Sequence, residues 1–170
     1  MEFVSSIAVQ ICAESPGEEV SGTPRKVQTT EGQVHFFKPY RYCDTRVAKN
    51  ELKKYSQISA ASGLEDLCIS RLSGLVRDES GTVLGLLLSY IDAKALTPRC
   101  AIRPDTPLSS RNRWVDQITN TLNSLHAAGI IWGDAKPDNV LIDRKSDAWL
   151  IDFGGSFTEG WVNPELAETV

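Results

Sequence analysis

The chain has 170 residues, of which 41% are hydrophobic and 24% charged, and carries a formal net charge of −4. That length suits one domain with a buried core, and the composition is that of a globular chain. The acidic balance, with no basic run, argues against nucleic acid or a membrane as partner, and the longest apolar run, around residues 84–88, is far too short to span a bilayer.

Met1-Glu2-Phe3 lacks the basic start and long apolar region of a signal peptide. Cys12, Cys43, Cys68 and Cys100 lie far apart, and His35 and His126 have no partner at metal-ligand spacing. The expectation is reduced, mostly buried thiols in an intracellular protein, cytoplasmic or nuclear, without structural zinc.

In chain order, residues 4–11 carry apolar spacings that fit both a helix and a strand, so the segment stays open. Residues 14–24 collect Ser, Pro, Gly and Glu and read as a loop. Residues 25–30, a turn at Glu31-Gly32 and residues 33–40 read as a hairpin whose second arm is VHFFKPY. A helix over 46–58 is predicted, capped by Asp44 or Thr45, with Val47, Leu52, Tyr55 and Ile58 on its apolar side. Residues 67–77 and 82–91 read as strands around the turn 78–81. A proline-bearing stretch, 96–108, precedes a long helix capped by Ser109 or Ser110 and running to about Ala128. Trp114, Ile118, Leu122 and Leu125 form its stripe, and Gly129 suits its left-handed end. Two short apolar runs, 140–142 and 149–151, flank the polar turn 144–147 as in a hairpin.

Between that helix and that hairpin lies IIWGDAKPDNVLID. Taken singly, Asp134 and Asn139 are ordinary turn residues and Lys136 a solvated charge. Their order says more. Asn139 follows Asp134 by five positions, and Asp152-Phe153-Gly154 begins thirteen positions after Asn139. The helix, G-D-A-K-P-D-N-V-L-I-D, the hairpin and L-I-D-F-G are together similar to the catalytic core of the protein kinase family, over about residues 122–155.

The resemblance implies an α+β, protein-kinase-like fold. A small antiparallel-sheet lobe with one helix would occupy 33–95 after an N-terminal segment and first strands in 1–32. The beginning of a helical lobe would occupy 96–170. It also implies ATP and Mg2+ as cofactors and a protein serine or threonine as acceptor, the Ser/Thr type being suggested by the lysine two residues after Asp134. Asp134 would orient the acceptor hydroxyl and take its proton, and Lys136 would offset charge on the phosphoryl group. Asn139 and Asp152 would hold the metal through hard oxygen ligands. Lys38 takes the place of the phosphate-binding lysine, with Glu51 as its helix partner. Ser89 and Tyr90 would offer backbone groups to the purine, with Leu88 behind it and Leu141 beneath it. Asp143 matches no functional position and reads as a turn acid.

Several positions depart from the family pattern. No G-x-G-x-x-G precedes Lys38; Gly17, Gly22 and Gly32 are scattered. Phe36 stands where the family favours a small residue, and Trp132-Gly133 replaces the usual His-Arg. Without that arginine, control by activation-segment phosphorylation is not expected. Asn163-Pro164-Glu165 resembles the A-P-E motif and implies a very short activation segment. The end of the chain reads as that of a fragment of a longer protein, of a chain completed by a partner, or of a degenerate relative. The alternative functions are a pseudokinase or scaffold module with weak or no catalysis, or a small-molecule kinase on the same fold. Lys136-Pro137 and Phe153-Gly154 fit protein kinases better than the last.

Overall fold

Alternating side chains, with turn residues between them, build six strands between Phe3 and Ser89. The computed structural model describes residues 2–12, 25–40, 45–93 and 97–154. The expected loop at 14–24, with Gly17 and Gly22, and the Asn163-Pro164-Glu165 motif lie outside them.

The described chain divides into two compact units, one made of Met1–Ala48 and Arg71–Ile91, the other of Lys49–Ser70 and Asp92–Val170. The first holds a six-stranded sheet. Its strands are β1 (Phe3–Ser5), β2 (Val9–Ile11), β3 (Arg25–Thr29), β4 (Val34–Pro39), β5 (Leu72–Arg77) and β6 (Val83–Ser89), in spatial order β1-β5-β6-β4-β3-β2. All neighbours run antiparallel except β1 and β5. The ambiguous segment 4–11 is therefore two short strands joined by a 3-10 turn, Ser6–Ala8.

That turn fixes the shape of the sheet. β1 and β2 lie on opposite edges yet are consecutive in the chain. Three residues reach ~10 Å, whereas five inter-strand gaps in a flat sheet span ~24 Å. The sheet must curl until its edges approach. Val27, Val76 and Leu87 form its buried interior, with Val4, Val9 and Phe37 packed against them.

Register then assigns the other face. Lys26 pairs with Phe36 and Phe36 with Leu88, while Lys38 pairs with Leu86. By alternation Lys38, Phe36 and Leu88 share the face turned away from Val27 and Leu87. Both predicted hairpins form. In the turn at 78–81 the Asp78 carboxylate accepts from Ser80 and from the Thr82 amide, and the Ser80 hydroxyl above all holds that carboxyl below its usual range.

In the second unit, α1 (Thr45–Ala60) begins within the first unit's residues and continues from Lys49. Tyr55 and Ile58 are buried as expected, but Val47 and Leu52 are only partly covered. Glu51 and Lys54 complete the buried stripe instead. The proline-bearing stretch contains a single helical turn, α2 (Pro98–Ala101), and leads into α3 (Leu108–Ala127). Neither Ser109 nor Ser110 caps α3. Pro107 is its N-cap, without a side-chain bond, so the helix starts two residues earlier than a Ser109 cap would set it. Its buried residues are Trp114, Thr121 and Leu125, with Ile118 and Leu122 half-buried. Gly129 turns left-handed (φ +71°) and lets the Ile130 amide reach back to the Leu125 carbonyl. The hairpin of β7 (Val140–Ile142) and β8 (Ala148–Leu150) follows, and Ser70 and Cys68 pair with Leu150 as a further short edge.

Of the described cysteines, Cys12 is exposed and Cys68 half-buried, so the expectation of mostly buried thiols fails at Cys12. That residue lies just beyond the edge strand β2, its backbone amide donating to the Lys26 carbonyl while its side chain stays exposed. No helix among the described residues is long and apolar enough to cross a membrane.

Candidate active site

After α3, the chain enters the second unit's core through Ile130 and Trp132, both nearly inaccessible. The Trp132 indole N–H donates to the Ile151 carbonyl at 2.8 Å, fastening this segment to the residue before Asp152. Gly133 then adopts φ +90°, a conformation that penalises any side chain. The next residue, Asp134, is turned inward and only 7% exposed.

A buried carboxylate needs partners, and the loop itself supplies them. Pro137 opens a 3-10 turn, Pro137–Asn139, that folds Asn139 back toward Asp134. The Asn139 amide nitrogen donates to the Asp134 backbone oxygen and to its Oδ2, both at 2.9 Å. Lys136 Nζ donates to the same Oδ2 at 2.5 Å. With both amide hydrogens committed to Asp134, the Asn139 side-chain oxygen is the atom able to take a cation.

Asp152 arrives from β8. The Ile151 amide donates to the Asn139 backbone carbonyl at 3.0 Å, so the two segments lie side by side. Asp152 has φ +58°, a rare conformation for a residue with a side chain. The Lys136 ammonium is paired with Asp134, and that hydrogen bond raises its pKa above the ordinary lysine range against a small burial effect, with the charges of Asp134, Asp152 and Asp138 adding to the rise. Hydrogen bonds thus hold Lys136 and Asn139 on Asp134, and the Ile151–Asn139 bond lays the segment leading into Asp152 alongside them. Because Lys136 is largely exposed, solvent screens the pair strongly.

Beneath Asp152 the packing is dense. Phe153 is fully buried, its ring edge-on to Tyr55 at 5.6 Å and 65°. The Tyr55 hydroxyl shares a 2.8 Å hydrogen bond with Ser70, and burial pushes its pKa well above the usual phenol range. Gly154 lies against Glu51: a Cβ there would stand 2.6 Å from the Glu51 carboxylate. Glu51 is 2% exposed and is therefore not the solvent-facing helix charge its sequence context allows.

The remaining expected site residues belong to other elements. Lys38 is in β4, Leu88 and Ser89 close β6, and Tyr90 follows with its ring under the Lys26 ammonium at 4.7 Å. The Ser89 side chain accepts from the Arg71 amide, and its own amide donates to the Arg71 carbonyl. Leu141 stands in β7, half-buried. A cavity of about 230 Å³ at one end of the first unit, lined among others by Glu2, Thr29, His35 and Leu87, contains none of these residues.

Asp143 belongs to a structural turn. Its carboxylate accepts from the Lys145 and Asp147 amides and from the Trp149 indole. Burial raises its pKa, but these bonds outweigh it and leave the group below its usual range. Sequence spacing had not singled out Lys54, Ser70 or Gly85. The available signal was a charged pair, Glu51 and Lys54, at helical spacing with Tyr55 and Ile58.

Comparison with known proteins bears on the same residues. Residues 27–163 match the protein kinase domain model. Over 109 residues the chain is 32% identical to the serine/threonine-protein kinase grp of Drosophila melanogaster, covering 63% of this chain and 20% of that protein. It is 31% identical over 74 residues to a probable serine/threonine-protein kinase, fnkB, of Dictyostelium discoideum, 43% of this chain and 14% of that one. It is 45% identical over 40 residues to the serine/threonine-protein kinase PknH of Mycobacterium tuberculosis, 24% and 6% of the two chains. The chain thus spans a fifth or less of the length of these relatives. With the family model covering most of its length and the Asp134–Asn139 and Asp152–Gly154 segments folded side by side, the chain belongs to the protein kinase family.

Proposed function

We propose that the chain catalyses transfer of the ATP γ-phosphoryl group to a serine or threonine of a protein. The observation that carries this reading is the Asp134 carboxylate, buried and held on one oxygen by both Asn139 and Lys136, with the Ile151–Asn139 backbone bond laying the Asp152 segment alongside.

Magnesium fits the donor set. Among the described residues no group of three His, Cys, Asp or Glu could cage a metal. Magnesium would need no such cage, since it is commonly held by one or two protein oxygens. Asn139, through its amide oxygen, and Asp152, through its carboxylate, would hold it. When bound, the ion neutralises charge on the phosphates. Asp134 orients the acceptor hydroxyl and receives its proton as that oxygen attacks the γ-phosphorus and the bond to the departing ADP oxygen breaks. Lys136 bridges from Asp134 toward the transferring group and offsets its charge. Lys38, Leu88, Ser89, Tyr90 and Leu141 serve the nucleotide, and Glu51 serves Lys38. The serine/threonine preference rests on Lys136 and on the similarity to serine/threonine-protein kinases.

Phe36 favours a second reading, a nucleotide-binding or scaffolding module without transfer. It shares a sheet face with Lys38 and Leu88, where its ring narrows the space for a purine. Transfer of labelled phosphate by the full-length protein separates the two. Asp134→Asn and Asp152→Asn should each lower the rate by ~10²-fold or more. Equal rates in all three proteins would defeat the enzyme reading, and stabilisation by Mg-ATP without transfer would support the second.

A further inference from the structure

We infer that Lys54 is a positioning residue, tying α1 to the peptide that sets the orientation of Asp134. Lys54 lies three positions after Glu51, on the buried stripe of α1, and is only 8% exposed. Its Nζ donates to the Trp132 backbone carbonyl at 3.4 Å, and no carboxylate among the described residues pairs with it. Burial, with a smaller contribution from Lys53, lowers its pKa from the ordinary lysine value.

Core stability does not account for a lysine here. An ammonium drawn out of water without a counter-charge is costly, and an apolar chain of the same length would fill the space without that cost. What the lysine adds is a donor aimed at one carbonyl. That carbonyl belongs to the Trp132–Gly133 peptide, whose far end turns through φ +90° straight into Asp134. The same tryptophan reaches the other acid, since its indole donates to the Ile151 carbonyl one residue before Asp152. Lys54 therefore holds the residue on which both acidic segments hang. This bond joins the helix that carries Glu51 to the loop that carries Asp134.

The consequence for catalysis rests on the reading of Asp134 as proton acceptor; the tether itself does not. The test compares wild-type, Lys54→Met and Lys54→Arg full-length proteins by site-resolved amide hydrogen exchange and thermal midpoint. The reporting amides are Asn139 and Ile151, bonded to the Lys136 and Asn139 carbonyls. Lys54→Met should raise exchange at these two by about tenfold or more while keeping or raising the midpoint, and Lys54→Arg should restore wild-type exchange. Three results would overturn the tether: unchanged exchange in Lys54→Met, exchange rising throughout the chain in step with a fallen midpoint, or a local rise that Lys54→Arg leaves in place. In the transfer assay, Lys54→Met should lower kcat with KM for ATP nearly unchanged. A wild-type protein with no transfer at all would remove the catalytic reading and leave the exchange result to stand or fall separately.

Discussion

At Gly154 the absence of a side chain is a packing requirement. A methyl group would meet the Glu51 carboxylate and Cβ at 2.6 and 2.8 Å, and Glu51, at 2% exposure, has no open side to retreat to. Gly154→Ala should therefore cost about 1–3 kcal/mol, read as a lower urea midpoint, and an unchanged midpoint would mean that Glu51 moves freely. Tyr55 makes a complementary case. Tyr55→Phe keeps the ring contact with Phe153 but strips Ser70, itself 2% exposed, of its hydroxyl partner. The expected loss is about 1–2 kcal/mol, and Ser70→Ala on the Tyr55→Phe background should recover part of it.

The elements depend on close backbone approach and on turn chemistry. In β6, Gly85 faces Pro39 of β4, and a Cβ there would stand 2.3 Å from the Lys38 carbonyl oxygen and 2.8 Å from the Phe37 ring. Backbone cannot yield as a side-chain tip does. Gly85→Ala should part β4 from β6 beside Lys38, costing about 1–3 kcal/mol and raising amide exchange in both strands; exchange confined to the mutated residue would contradict this. The β7–β8 turn is organised by charge. Asp143 binds two amides and an indole N–H, and its carboxyl pKa lies below the ordinary value in the folded chain. A depressed acid contributes stability that is complete above its unfolded pKa and is lost as pH falls through its folded one. Asp143→Asn should cost about 1–2 kcal/mol at pH 7, because an amide nitrogen offers no acceptor to the Trp149 indole. The cost should shrink as pH falls through the depressed pKa of Asp143, measured by denaturant titration at each pH.

For the molecule as a whole, a ligand that binds only the folded state must stabilise it by mass action. Mg-ATP at a hundred times its dissociation constant should add ~2.7 kcal/mol, visible as a raised thermal midpoint in the full-length protein. Asp152→Asn should remove most of that shift if the metal bridges Asp152 to the phosphates. A shift unaltered by the substitution would indicate nucleotide bound without the metal at Asp152. The thermal measurement therefore addresses binding, whereas the transfer assay addresses chemistry.

The loop Asp134–Asn139, the Asp152-Phe153-Gly154 segment, both early hairpins and the long helix were legible in the sequence. Each is fixed locally, by residue order, turn chemistry or apolar period over a short span. The helix starts at least two residues before the serines place it, because Ser is a strong cap by propensity whereas here Pro107 takes that position. The curl of the sheet, the parallel pairing of β1 with β5, and the burial of Glu51 and Lys54 were not legible. Periodicity assigns charged residues to the solvent side, and only contacts distant in sequence, such as Lys54 with Trp132 or Gly154 with Glu51, place them inside. Sequence alone determined the order of acid, lysine, amide and second acid by which the chain resembles its family. The tertiary structure decided which neighbours hold them, because burial and hydrogen-bond partners are properties of packed surfaces rather than of chain order.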